Sequence, residues 1–362
     1  MPAIPRSKPW LWLLVLALLL LGLLLQRSGL EALGYYAHLV DGHRQVMLGR
    51  TPVNDLLADE ELDEALRERL ALSKELREFS VTVLDLPDNA SYRSYTDLGR
   101  EAVLWNVTAV PEFSLQAKRW CYPVVGCQSY RGYFNRDAAH DKGAALAEEG
   151  YDVRINPVTA YSTLGRFPDP LLNTMLARDE LRLAEVLFHE LAHQRLYIRG
   201  DTAFNEAYAT FVGQQGVRLW LKAVGESERI REFERRHARA ARFRGLLADT
   251  RTRLARLYDS GLPESVMRNE KAVILAGLHR RFLASVAEDP DMADWAGWFH
   301  QPVNNARLAA VATYHEWVPA FARLYEQAGE DMADFHAAAE RLSAKDSESR
   351  QQRLTELRDA VD

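Results

Sequence analysis

The sequence predicts a helix-rich α+β fold, with a small sheet in its N-terminal half and a mainly helical C-terminal half. Three observations point there. The 362 residues are 48% hydrophobic and 27% charged, a balance that buries a core and excludes a disordered, collagen-like or multispanning chain. β-branched and aromatic runs cluster between about residues 80 and 165. From Leu171 onward nearly every stretch has helical character. No fixed-period repeat stands out, which argues against solenoids and propellers. A net charge of −6 argues against nucleic acid as a partner, because phosphate binding needs clustered Lys and Arg.

Taken in chain order, Arg6 and Lys8 precede an unbroken apolar run from Trp10 to Leu25, which as a helix reaches about 24 Å. No small-x-small cleavage site follows in Gln26 to Leu30, so residues 1–30 are expected to be an uncleaved single-pass membrane anchor, with a cleaved signal peptide as the alternative. Positive charge ahead of the run leaves the N-terminus cytoplasmic and exports the body. Export in turn favours a disulfide between Cys121 and Cys127, which flank a Pro- and Gly-containing turn. Two cysteines are too few for a disulfide-stapled miniature or a four-cysteine zinc module.

The body is expected as one domain over residues 31–345. Asn54 to Phe79, with Leu56, Leu57, Leu62, Leu66 and Leu70 near helical spacing, reads as helix. Ser80 to Leu86 and Ala102 to Val110 read as strands, and Tyr130 to Asn135 and Tyr151 to Ile155 extend the sheet. Asn156-Pro157 and Pro168-Asp169-Pro170 break the segment that leads into the helices of about 170–222. Glu226 to Tyr258 and the stretch from Asp259 to about Val286 read as a helical hairpin whose Arg-rich face is solvated. Asn304 to Gln327 and Asp331 to Leu342 close the helical half, and residues 346–362 look like a polar, fraying tail.

The segment that carries chemistry is Leu187 to Gln194, which contains the pattern HExxH. Four residues advance a helix by about 400°, so His189 and His193 emerge about 40° apart and one turn along, placed for two imidazoles to grip one ion. Ala184, Leu187, Phe188, Leu191 and Ala192 form the apolar face that leaves those histidines pointing elsewhere. The third ligand is expected to be Glu206, with Glu185 as a rival. Gly200 ends the first helix and Asp201 caps the second, so Glu206 falls in the opening turns of that helix. Ala209, Thr210 and Gly213 are small enough for it to come close, and Phe204, Ala207, Tyr208 and Phe211 pack inward. The assigned set implies Zn2+ as cofactor, a peptide as substrate and Glu190 as general base. Tyr314 is the first candidate for the oxyanion donor, ahead of Tyr161.

The runs HELAHQRLYIRGDTAFNEAYATFVGQQG, WNVTAVPEFSL, RWCYPVVGCQSYRGYF, AYSTLGRFPDPLLNTML and VNNARLAAVATYHEWVPAF together resemble a bacterial family of zinc aminopeptidases of the gluzincin type, over about Tyr35 to Leu342. The resemblance implies a zincin-like metallopeptidase fold, zinc ligands at His189, His193 and Glu206, Glu190 as base, and an inner-membrane location with the catalytic domain facing the periplasm. Two other functions remain open at this point: a catalytically silent zincin acting as an envelope scaffold, and a zinc amidase acting on peptidoglycan stem peptides. The strand Ala102 to Val110 is expected either to bind an extended peptide along its edge or to lie inside the sheet.

Overall fold

The computed structural model describes residues 32–122, 126–309 and 316–360, and the chain divides into two units after Leu48. The first unit contributes one described helix, α1, residues 32–48. The expected N-terminal anchor lies outside the described residues, among which no helix is long and apolar enough to cross a membrane.

The second unit begins with β1 (Thr51–Pro52), α2 (Val53–Ala58), α3 (Glu64–Thr82), β2 (Ser94–Thr96), β3 (Leu104–Pro111) and the short pair β4 (Trp120–Tyr122) and β5 (Gly126–Gln128). Next come β6 (Arg131–Tyr133), α4 (Arg136–Glu148), β7 (Tyr151–Val158), β8 (Leu171–Leu172), α5 (Asn173–Leu176), α6 (Glu180–Arg195) and α7 (Thr202–Ala223). A hairpin of α8 (Ser227–Tyr258) and α9 (Glu264–Glu288) follows, then a 3-10 helix (Pro290–Phe299) and α10, residues 305–309. The chain ends on α11 (Val318–Gln327), α12 (Met332–Ser343) and α13 (Ser347–Asp359).

The strands form small sheets. β3 lies at the centre of the order β6-β3-β7, antiparallel to both neighbours, with Leu104 opposite Val158 and Pro111 opposite Tyr151. It is therefore an interior strand, and the edge-pairing expectation for it does not hold. β7 also runs through Asn156-Pro157, because Pro157 opposes Trp105 at the strand's end, where a missing N–H is tolerated. α4 covers this sheet through Gly143, at which a Cβ would lie 2.9 Å from Ile155 Cδ1. The α8–α9 hairpin is fastened to the sheet by Lys271, whose ammonium meets Asp152 at 2.7 Å and donates to the Glu112 carbonyl. Cys121 and Cys127 form the expected disulfide across β4 and β5, where they are direct partners.

Three stretches differ from the sequence reading. The helix expected over Asn54 to Phe79 is broken between α2 and α3, where the Asp59 carboxylate accepts from Glu61 N–H and Asp63 caps α3 by accepting from Leu66 N–H. Ser80 to Leu86 is not a strand: α3 continues to Thr82 and then turns. The buried Arg77 pins that turn by donating to the carbonyls of Pro87, Asn89 and Ser91. Residues 346–362 contain a packed helix rather than a fraying tail. Asp346 caps α13 by accepting from Ser349 N–H, and Leu354 and Leu357 are buried. The sequence conceals this because the helix buries only two leucines, beside Arg350, in an otherwise polar segment.

Candidate metal centre

α6 is a helix because Asp179 caps it by accepting from Arg182 N–H at 2.9 Å and because its apolar residues fall on one stripe. Ala184, Leu187, Phe188, Leu191 and Ala192 are all fully buried, as the spacing predicts. α7 starts after Gly200, whose φ of 84° suits a residue without Cβ, and Asp201 caps it by accepting from Phe204 N–H at 3.2 Å. The opposite face of α7 packs as expected: Phe204 meets Phe321 with ring centroids 5.1 Å apart, and Tyr208 stacks on Phe335.

Close approach between the two helices rests on Gly213 and Gly216. A Cβ at Gly213 would stand 2.7 Å from the Glu185 carbonyl oxygen, and one at Gly216 would stand 2.6 Å from the Phe188 ring. Only hydrogen fits at either position. This brings Glu206 on α7 to the histidine face of α6. His189 Nε2 lies 3.1 Å from His193 Nε2 and 3.4 Å from Glu206 Oε2, and His193 Nε2 lies 3.7 Å from Glu206 Oε1. The two imidazoles stand nearly perpendicular, at 89°.

These three side chains can hold a metal ion. Two ligand atoms bound tetrahedrally at about 2.0–2.1 Å stand roughly 3.3 Å apart, close to the separations observed. The donor set makes the same point: two imidazole nitrogens and a carboxylate, all carrying lone pairs, converge on one spot and need a shared positive charge. Burial works against the His189 imidazolium, but its hydrogen bond to Glu206 and the charges of Glu206, Glu190 and Glu185 outweigh this and raise its pKa. Burial likewise works against the Glu206 carboxylate, yet His193 and His189 hold its pKa well below the usual range.

Glu190 points from the same turn but is not one of the converging group. Burial raises its pKa, His189 and His193 oppose the rise, and Glu206 adds to it. On its side lie Tyr92 and Asp169. Burial raises the pKa of each, and the Glu190 charge adds to both shifts. Glu185, the rival ligand, meets Arg182 Nη1 at 3.1 Å and His237 Nε2 at 3.4 Å, on the α8 side of the helix. Tyr314 lies outside the described residues. Tyr161 packs its ring edge-on against Phe134, and burial pushes its pKa up to about 12.

Two residues that the sequence reading passed over support the centre. Asn205, almost fully buried beside Glu206, clamps the α6–α7 loop by accepting from Ile198 N–H and donating to the Ile198 carbonyl, each at 2.7 Å. Tyr197 sets its ring 6.3 Å from that of His193, and its hydroxyl accepts from Gln128 Nε2 on β5. The one available signal was adjacency, since Asn205 precedes Glu206 and Tyr197 lies one turn after His193.

A family model described as "Putative aminopeptidase" matches residues 34–354. No curated protein and no solved structure matches the chain.

Proposed function

The chain belongs to the family described as "Putative aminopeptidase", and on that footing we propose that it is a zinc-dependent metallopeptidase acting as an aminopeptidase. The observation that carries this reading is the convergence of His189, His193 and Glu206 within about one coordination sphere, with Glu190 one residue along the helix.

In the proposed reaction His189, His193 and Glu206 would hold the ion, and Gly213 keeps the helices that carry them close together. A zinc ion held there would supply Lewis-acid polarisation of the scissile carbonyl and would make a nucleophilic water more acidic. Glu190 takes the proton from the attacking water and delivers it to the leaving amine. Burial suits it to the task, because a carboxylate removed from bulk water binds a proton more tightly. Asn205 and Asp201 keep the start of α7, and therefore Glu206, in register. The Cys121–Cys127 disulfide supports an oxidising location for this unit, and the periplasm is the compartment we propose.

The test is a comparison of wild type with Glu190→Ala on a mixed peptide library, with cleaved ends read by mass spectrometry. Wild type is expected to remove N-terminal residues. The variant is expected to retain its metal and lose at least about 100-fold in rate. Full activity in the variant refutes Glu190 as the base. An inert wild type that still binds metal indicates a scaffold, and cleavage confined to stem-peptide amides indicates an amidase.

A further inference from the structure

A cavity of about 790 Å³ lies between the three-stranded sheet, the first turn of α7 and the inner face of α8. Glu185 and Thr202 line it, one helical turn from His189 and from Glu206 respectively, so it begins about 6 Å along the helices from the metal ligands. Its most numerous charges are guanidiniums: Arg119, Arg154, Arg182, Arg236, Arg244 and Arg251.

The local acids do not balance them. Glu185 is shared between Arg182 and His237. Of the other two acids on the wall, Asp201 is engaged by Arg350 at 2.8 Å and Glu316 by Arg358 at 3.6 Å. Arg236 reaches Asp179 with Nη1 at 3.6 Å, leaving its Nε and Nη2 buried without a hydrogen bond. Arg244 lies within reach of the charge of Glu185 without a direct hydrogen bond among the described residues, and Arg251 donates to the Leu308 carbonyl at 3.1 Å within reach of the charge of Glu316. Burial weighs on Arg244 and Arg251 and lowers the pKa of both. His237 registers the excess charge: burial first, then Arg182, Arg218, Arg236 and Arg244, push its pKa down to about 3 despite the carboxylate of Glu185 beside it. Partly desolvated guanidiniums with unused donors are costly, and a ligand that brings negative charge and acceptor oxygens relieves that cost.

We propose that this cavity binds a carboxylate of the peptide substrate, gripped by Arg236 and Arg244, which lie about two turns apart on α8. The inference rests on the metallopeptidase reading above and specifies its substrate class. Packed helices lie about 8–10 Å apart, and an extended peptide advances about 3.3 Å per residue, so the gripped carboxylate sits two to three residues from the bond at the metal centre. The α-carboxylate of a tripeptide and an acidic side chain at that distance present the same group.

Equilibrium binding to Glu190→Gln protein tests this without turnover, read by the fluorescence of Trp295 and Trp298 in the cavity wall and by calorimetry. The ligands are Ala-Ala-Ala as the free acid, its C-terminal amide, and the amides of Ala-Ala-Asp and Ala-Ala-Asn. The free acid or the Asp amide is expected to bind at least about tenfold more tightly than its neutral partner, and whichever pair shows the difference identifies the source of the carboxylate. In Arg244→Gln and, separately, Arg236→Gln the difference should collapse, while binding of the neutral amide is unchanged. Equal affinity across all four peptides, or an undiminished preference in both variants, overturns the proposal. Turnover by Glu190→Gln counts against the assigned base, and the ratio is then read from the inhibition constants of the D-amino-acid forms of the same four peptides.

Discussion

Asp169 carries a charge whose cost can be measured separately from any chemistry. It is fully buried, one carboxylate oxygen accepts from Thr163 N–H, and the other has no hydrogen-bond partner among the described residues. Burial pushes its pKa up to about 6. A carboxyl raised in the folded state contributes stability that is fully present below its unfolded pKa of about 4 and is lost as pH rises through about 6. Denaturant melts from pH 4 to 7 should therefore show wild type losing up to about 3 kcal/mol relative to Asp169→Asn across that window. Parallel profiles would show that the carboxyl titrates normally. Gly213 makes a second prediction at this scale. An added methyl would strike the Glu185 carbonyl, so Gly213→Ala should cost about 1–2 kcal/mol net of its better helix propensity, and should weaken metal binding by separating α6 from α7. Calorimetric titration with the metal checks the second part. A variant that binds as tightly as wild type would mean that the close approach is incidental.

Among the elements, α13 has the most consequence for the centre at the greatest sequence distance. Its Arg350 donates from Nε and Nη2 to the Asp201 carboxylate at 3.0 and 2.8 Å, and Asp201 is the cap of the helix that carries Glu206. Leu354→Ala should cost about 2–4 kcal/mol in a thermal or denaturant melt, whereas a change within about 0.5 kcal/mol is what a frayed tail would give. α6 and α7 were legible in the sequence because each has a polar cap and a stripe of apolar residues, and because the break at residues 196–200 separates them cleanly. α13 and α4 were not. α4 (RDAAHDKGAALAE) has a weak apolar stripe, since its contact with the sheet is made by Ala139, Gly143 and Leu146. The break at Asp59 to Asp63 was also hidden, because leucine spacing continues across it and only the capping geometry shows where one helix stops.

Taken whole, the molecule places its candidate metal-ligating residues on two consecutive helices, and this locality made the cluster readable from residues 189–206. The cavity beside it draws its arginines from β7, α6 and α8, which are distant in sequence. On α8 those same arginines appear in a charged pattern that a solvated helix face would share. Long-range placement of this kind carries no periodic signal. Coupling between the centre and overall stability follows from linkage, because an ion that binds only the folded chain stabilises it by mass action. A chelator should therefore lower the melting temperature of wild type by several degrees and leave Glu206→Ala nearly unchanged. Equal shifts in both would place the ion elsewhere. The most direct measurement is the metal content of purified wild type and Glu206→Ala, determined by elemental mass spectrometry. About one zinc per chain in wild type and a small fraction of that in the variant is the predicted result; equal occupancy in the two proteins would contradict a centre built from His189, His193 and Glu206.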